Sequence, residues 1–245
     1  MDSGYYAAMT GLVARTQALD TAAANLANAQ TPGYRAEREF FRSALLGPDA
    51  LNSQLGRTVN NFGLLGGDRL NMSQGALQET GNPLDLAIDG EGFFQVQTAT
   101  GLRYTRDGSF QRSRSGQLVT GAGERVLSSS GQPIPIPPGA VTVGAGGVVS
   151  VAGGTVATVG VYTFEGSVPM TPEGANRYAA PQDAVAVLSK EATVHQGAIE
   201  AANQDVIQGS LDLIVMQRQA EMMQKALTIF HTDFNKIATE DLPRV

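Results

Sequence analysis

The chain has 245 residues, a formal charge of −6 at neutral pH and only 16% charged residues, which argues against both a polycationic nucleic-acid binder and a charge-rich disordered tail. It holds no cysteine, no tryptophan and two histidines, His195 and His231, so disulfide frameworks, thiolate metal sites and cysteine nucleophiles are excluded while the redox compartment stays open. Its 29 glycines and 11 prolines point to a body rich in turns.

The first basic residue is Arg15 and the opening MDSGYYAAMTGL is mixed, so no cleavable signal is expected. A helix is predicted over about Ser3 to Gln30. Tyr5, Leu12, Leu19 and Leu26 recur every seven residues, and Met9, Thr16 and Ala23 come four later, a seam with the 3.5-residue period of a coiled coil. Pro32 cannot continue the helix and biases Thr31 to an extended conformation, and Gly33 comes next as a turn residue. Residues 37–83 connect this helix to a strand-rich region; FFRSALLG within them fits a helical turn or an extended arm.

Strand periods begin at Leu84. Leu84, Leu86 and Ile88 alternate with Asp85, Ala87 and Asp89, and Gly90 and Gly92 break the run before Phe93, Phe94 and Val96. Further short runs are LRYTR, QLVT, ERVL, VTV, VVSV and VATVGVYTF, separated by turn sequences such as RDG, SRSG and SSSGQ. From Val126 to Phe164 no residue is charged, yet the Gly, Pro, Ser and Thr content reads as turns and strands rather than a membrane span. A second helix is predicted over 199–237. Ile199, Val206, Leu213, Ala220, Leu227 and Phe234 repeat at seven, with Ala202, Gly209, Met216, Met223, Phe230 and Ile237 three residues after each. Glu200, Asp205, Arg218 and Glu221 fall on its other faces. Gly209 is either tolerated in this seam or permits a close backbone approach.

The expected fold class is therefore α+β: N- and C-terminal coiled-coil helices flanking an inserted all-β domain, barrel-like or sandwich-like. The expected division is a helix in 1–36, a connector in 37–83, the β domain in 84–189 and a helix in 190–245 that packs with 1–36. A protease-resistant core near 37–189 with sensitive ends is expected. The C-terminal seam outruns the N-terminal one by two heptads, so pairing within one chain leaves apolar surface over and self-association or a partner is implied.

No catalytic constellation is found. His195 and His231 lack the spacing of a metal pair, and no P-loop, dinucleotide fingerprint or nucleophile elbow occurs. Asp85 and Asp89, four residues apart on one strand face, lie about 13 Å from each other, beyond the reach of a glycosidase pair, and read as a solvated face. Arg103, Arg106, Arg112, Arg114 and Arg125 cluster locally without interleaved aromatics suited to base stacking and read as a solvated hairpin face. The chain is not expected to be an enzyme, and neither cofactor, metal, nucleic acid nor small-molecule substrate is expected. The assembly seam is assigned to Tyr5, Met9, Leu12, Leu19, Ala23, Leu26, Ile199, Val206, Leu213, Met216, Met223, Leu227, Phe230, Phe234 and Ile237. A β-domain binding module whose helices act as a dimerisation handle is the rival from another class.

The stretch from Ala24 to Tyr34, with Asn25, Leu26, Asn28, Thr31, Pro32 and Gly33, resembles the signature of flagellar basal-body rod and hook proteins. Ala24 stands where that family often has a second asparagine. Ala87-Ile88-Asp89-Gly90-Glu91-Gly92-Phe93-Phe94, Tyr104-Thr105-Arg106-Asp107-Gly108-Ser109-Phe110 and Gly116-Gln117-Leu118-Val119-Thr120 continue the likeness through the β body. The resemblance implies an axial subunit of the flagellar basal body, exported through the flagellar type III apparatus without a cleaved signal. It also implies stacking with its own copies and with other rod proteins, proximal and distal. The opening residues and short body are more similar to rod members than to the usually longer hook members.

Overall fold

Helix α1 spans Asp2–Ala27 and helix α2 spans Val206–Lys236, with eighteen strands among the described residues between them. The computed structural model describes the backbone of residues 2–42, 64–166 and 168–236 and the side chains of 9–38, 69–166, 168–229 and 232. Two units are distinguished: Met1–Ala27, Glu37–Arg69 and Asp205–Val245 form one, and Asn28–Ala36 with Leu70–Gln204 form the other. The chain is α+β.

In the first unit α1 packs along α2, and strands β1 (Glu37–Arg42) and β2 (Leu64–Leu70) pair with each other. The described part of FFRSALLG is thus extended. Helix α2 begins seven residues later than the periodicity suggests. The side chain of Asp205 accepts a 2.8 Å hydrogen bond from the Gln208 amide, and its carbonyl accepts one of 2.8 Å from Gly209, which is N-cap geometry. Ile199 lies in a strand instead, because its segment finds a sheet partner and Asp205 supplies the helix start. No described helix is long and apolar enough to cross a membrane.

The second unit is the β body. It contains β3 (Leu77–Glu79), β4 (Leu86–Asp89), β5 (Phe93–Thr98), β6 (Gly101–Thr105), β7 (Gln111–Arg112), β8 (Leu118–Val119), β9 (Arg125–Val126) and β10 (Val141–Val143). It continues with β11 (Val148–Val151), β12 (Gly154–Thr158), β13 (Val161–Phe164), β14 (Thr171–Pro172), β15 (Arg177–Ala179), β16 (Ala186–Leu188), β17 (Thr193–Gln196) and β18 (Ala198–Glu200). The largest sheet runs β14-β15-β6-β5-β9-β8-β7, with β13 joining β5 to β16; β10-β11-β12, β17-β4 and β18-β3 are separate. These sheets are open, so the barrel expected as one alternative is not formed. Short strands and frequent turns leave each ladder too short to curl round on itself.

Strand β5 organises the core because it is covered on both faces. Successive residues point to opposite sides of a sheet, so Phe94 and Val96 enter a cluster with Leu86, Ile88, Phe110 and Ile134, while Phe93 joins Tyr104, Tyr162, Met170 and Tyr178. Phe94 meets Phe110 edge-on at 5.1 Å between centroids and Phe93 meets Tyr178 at 5.9 Å. The body extends past the expected 84–189 boundary, since β17 pairs with β4 and β18 with β3.

Candidate functional site: two helix faces and a buried clasp

Within the helical unit, the sides of α1 and α2 that meet are built from small residues. Gly11, Ala14, Ala18 and Asn25 of α1 are buried, and so are Gly209, Ala220 and Leu227 of α2. Leu12, Leu19, Leu26, Leu213, Met216 and Met223 flank them and are half-buried. The seam residues in this group thus line the helix pair itself. Met9, Ala23 and Val206 are exposed, Ile199 lies in β18, the side chains of Tyr5, Phe230 and Phe234 lie outside the described residues, and so does Ile237.

A second apolar stripe lies outside the predicted seam. Ile207, Leu211, Ile214, Val215, Met222 and Ile229 of α2 are all exposed, Ile207 at 74% and Met222 at 63%. They lie on the side of α2 away from Gly209, Ala220 and Leu227. Helix α1 carries a matching outer face with Met9, Val13 (61% exposed) and Ala23, Ala24 and Ala27. A groove of about 220 Å³ lies there between Met9, Thr10, Val13, Ala14 and Gln17. The signal for the outer stripe is present in the sequence, since Val215, Met222 and Ile229 repeat at seven and Ile207, Leu211 and Ile214 fall on the same helix face at steps of four and three.

The signature residues do two different structural jobs. Asn25 pairs with the backbone of Glu37 as another peptide would: its side-chain NH₂ donates to the Glu37 carbonyl at 2.8 Å and its side-chain oxygen accepts from the Glu37 amide at 2.9 Å. In the β body, Asn28 and Thr31 form a turn, with the Thr31 amide donating to the Asn28 carbonyl at 2.9 Å. The Asn176 side chain donates to the Pro32 carbonyl at 2.8 Å. Gly33 has φ +70, and a Cβ there would fall 2.2 Å from the Asp107 nitrogen, so both the backbone conformation and the space require glycine. Leu26 is half-buried.

Behind Gly33 lies an ionic clasp that sequence reasoning missed. Glu200, 1% exposed, accepts from Arg35 at 2.9 Å on one carboxylate oxygen and from Arg106 at 3.0 Å on the other, the two arginines being 2% and 3% exposed. Its first oxygen also accepts from the Gly75 amide at 2.7 Å, and its carbonyl accepts from the Gly33 amide at 2.7 Å. Arg35 further donates to the Ser73 carbonyl, and Arg106 donates to the carbonyls of Gly90 at 2.6 Å and Ile88 at 3.3 Å while its guanidinium lies 5.5 Å from the Phe93 ring centre. Burial pushes both guanidinium groups below their ordinary value, against the opposing pull of the Glu200 charge; both stay cationic. Asn203 continues the clasp, accepting from Ala36 at 2.8 Å and donating to Asn71 and Ser73 carbonyls at 2.6 and 2.9 Å.

Two expectations are corrected here. Arg106 is not part of a solvated hairpin face: the arginine group is split, with Arg106 buried on Glu200 and Arg103 paired with Glu173 at 2.6 Å, while Arg112, Arg114 and Arg125 are exposed. Asp85 is not solvated either, since it is buried and accepts from Thr80 at 2.6 Å and Asn82 at 2.8 Å; Asp89 is exposed. Glu200 is likewise no polar helix position. Its one sequence signal is a lone charge in the small, apolar run Gly197-Ala198-Ile199-Glu200-Ala201-Ala202.

The motifs that are far apart in sequence therefore converge in the body: Thr31 to Arg35, Ile88 to Phe94 and Tyr104 to Phe110 meet at Glu200. Two family models match the same stretches, "Flagella basal body rod protein" over residues 6–35 and "Flagellar hook protein FlgE/F/G D1 domain" over 87–151. The chain is 34% identical to the flagellar basal-body rod protein FlgF of Caulobacter vibrioides, over 93% of each chain. It is 33% identical to FlgF of Escherichia coli over 93% of this chain and 94% of that one, and 30% identical to the rod protein FlgG of Bacillus subtilis over 91% and 93%. The chain belongs to the flagellar basal-body rod protein family and is a structural rod subunit.

Proposed function

We propose that this chain is an FlgF-type subunit of the proximal rod in the bacterial flagellar basal body, and that its activity is assembly. The observation that carries the reading is the outer stripe of α2. Six large apolar side chains are exposed along one helix face, and contiguous exposed apolar surface of this kind marks an interaction site. Burying each such side chain is worth roughly 1.5–3 kcal/mol. The inner seam joins α1 to α2 as a coiled coil, and the outer faces join the pair to its own copies and to other rod proteins, proximal and distal. The family resemblance adds export by the flagellar type III apparatus without a cleaved signal.

The two stripes make separable predictions. Ile214→Lys charges the outer stripe, so it abolishes swimming and incorporation into purified basal bodies while far-ultraviolet circular dichroism keeps its helical signal. Leu213→Lys charges the inner seam and loses helical signal as well. Normal swimming of the Ile214→Lys strain overturns the assembly reading.

A further inference from the structure

We infer that the β body holds a binding site for a free α-amino acid with an apolar side chain, taken up as a zwitterion in the cavity beside the Glu200 clasp. The cavity, about 370 Å³, lies wholly within the β body. That is near the lower end of the roughly 300–1,000 Å³ of small-molecule sites, so it suits a single amino acid and not a nucleotide. Arg35 and Arg106 line it, and so do Phe93, Phe164 and Met170. Both arginines are buried, yet the Nε–H of each finds no acceptor among the described residues. Buried donors in folded proteins are almost always paired, and a carboxylate brings one oxygen for each of these two.

Charge narrows the ligand further. Two guanidinium groups against the single carboxylate of Glu200 leave one positive charge in excess at the buried end of the cavity. Glu91 also lines the cavity but is exposed, and its carboxylate is near enough to favour the cationic form of Arg106. The site therefore has a positive inner end and a negative mouth. A simple carboxylate leaves Glu91 unmatched, and a phosphate dianion exceeds the single excess charge and meets Glu91 as a like charge. An α-amino acid matches both ends: its carboxylate goes to Arg35 and Arg106, its ammonium to Glu91, and its side chain to the apolar wall of Phe93, Phe164 and Met170. Incorporation into a peptide removes both charges, so the ligand is a free amino acid and not a segment of another protein.

The test is isothermal titration calorimetry of the full chain with L-leucine, L-methionine and L-phenylalanine. Saturable binding of at least one is expected, and its N-acetyl and carboxamide derivatives, each lacking one charge, are expected to bind at least tenfold more weakly. Glu91→Gln is expected to weaken the amino acid at least tenfold while leaving the weak binding of its N-acetyl derivative unchanged, a selectivity that a merely structural role of Glu91 does not produce. Val168 also lines the cavity, so Val168→Trp fills it and is expected to abolish binding. Glu91 is exposed, so its variant decides the matter if Val168→Trp does not fold. Absence of binding by all three amino acids, equal binding of the derivatives, or displacement by inorganic phosphate at equal concentration overturns the proposal. So does unchanged binding in Glu91→Gln or in a folded Val168→Trp. None of these outcomes bears on swimming of the Ile214→Lys strain, so the assembly reading stands or falls separately.

Discussion

Glu200 shows how much one buried carboxylate can organise. Its carboxylate faces two guanidinium groups and the Gly75 amide, so replacing it with Gln leaves two buried cations without a counter-charge. Breaking a buried ion pair on one side costs about 3–5 kcal/mol. Glu200→Gln is expected to lower the urea midpoint of the β body correspondingly, whereas removal of the exposed Arg112 leaves it unchanged. Gly33→Ala is the second residue-scale test. It combines a left-handed backbone with a Cβ 2.2 Å from the Asp107 nitrogen, so destabilisation is expected at the upper end of about 1–3 kcal/mol for local backbone strain, measured by the same unfolding curve. An unchanged midpoint in either variant contradicts the clasp geometry.

Among the elements, α2 is the most instructive because its heptad pattern is legible in the sequence and the use of that pattern is not. A helix with apolar residues at 206, 213, 220 and 227 and also at 207, 211, 214, 215, 222 and 229 has two apolar faces. Periodicity alone does not say which one meets α1. The structure places Gly209, Ala220 and Leu227 inside and Ile207, Leu211 and Ile214 outside, which is why the contrast between Leu213→Lys and Ile214→Lys is informative. The helix start departs from the periodicity for a related reason. Ile199 and Ala202 happen to continue the spacing, but β18 gains a ladder with β3 and Asp205 caps the helix, and tertiary pairing outweighs a weak local propensity.

For the molecule as a whole, the β body is closed by both of its chain ends. Residues 28–36 enter it and β17 and β18 complete it just before α2. A chain ending after Gln204 is therefore expected to keep a cooperative β-body transition, while one ending after Ser189 loses β17, β18 and Glu200 and with them that transition. Calorimetry of the two truncations checks it. Limited proteolysis of the full chain should correspondingly yield a product that retains residues 28–36 and extends to about 204. Protection limited to 37–189 contradicts this account of the body.

The sequence by itself determined the class of the molecule: helices at both ends, short strands between them, and signature motifs specific enough to point to the family. Those features are local, carried by periodicity, Pro and Gly punctuation and contiguous residues. Only the tertiary structure decided where the charged residues of those motifs go. Arg35, Arg106 and Glu200 are separated by up to 165 positions, and nothing in their neighbours announces that they share one buried site. The same holds for which stripe of α2 is left open, because burial is a property of what packs against a face and not of the face's own sequence.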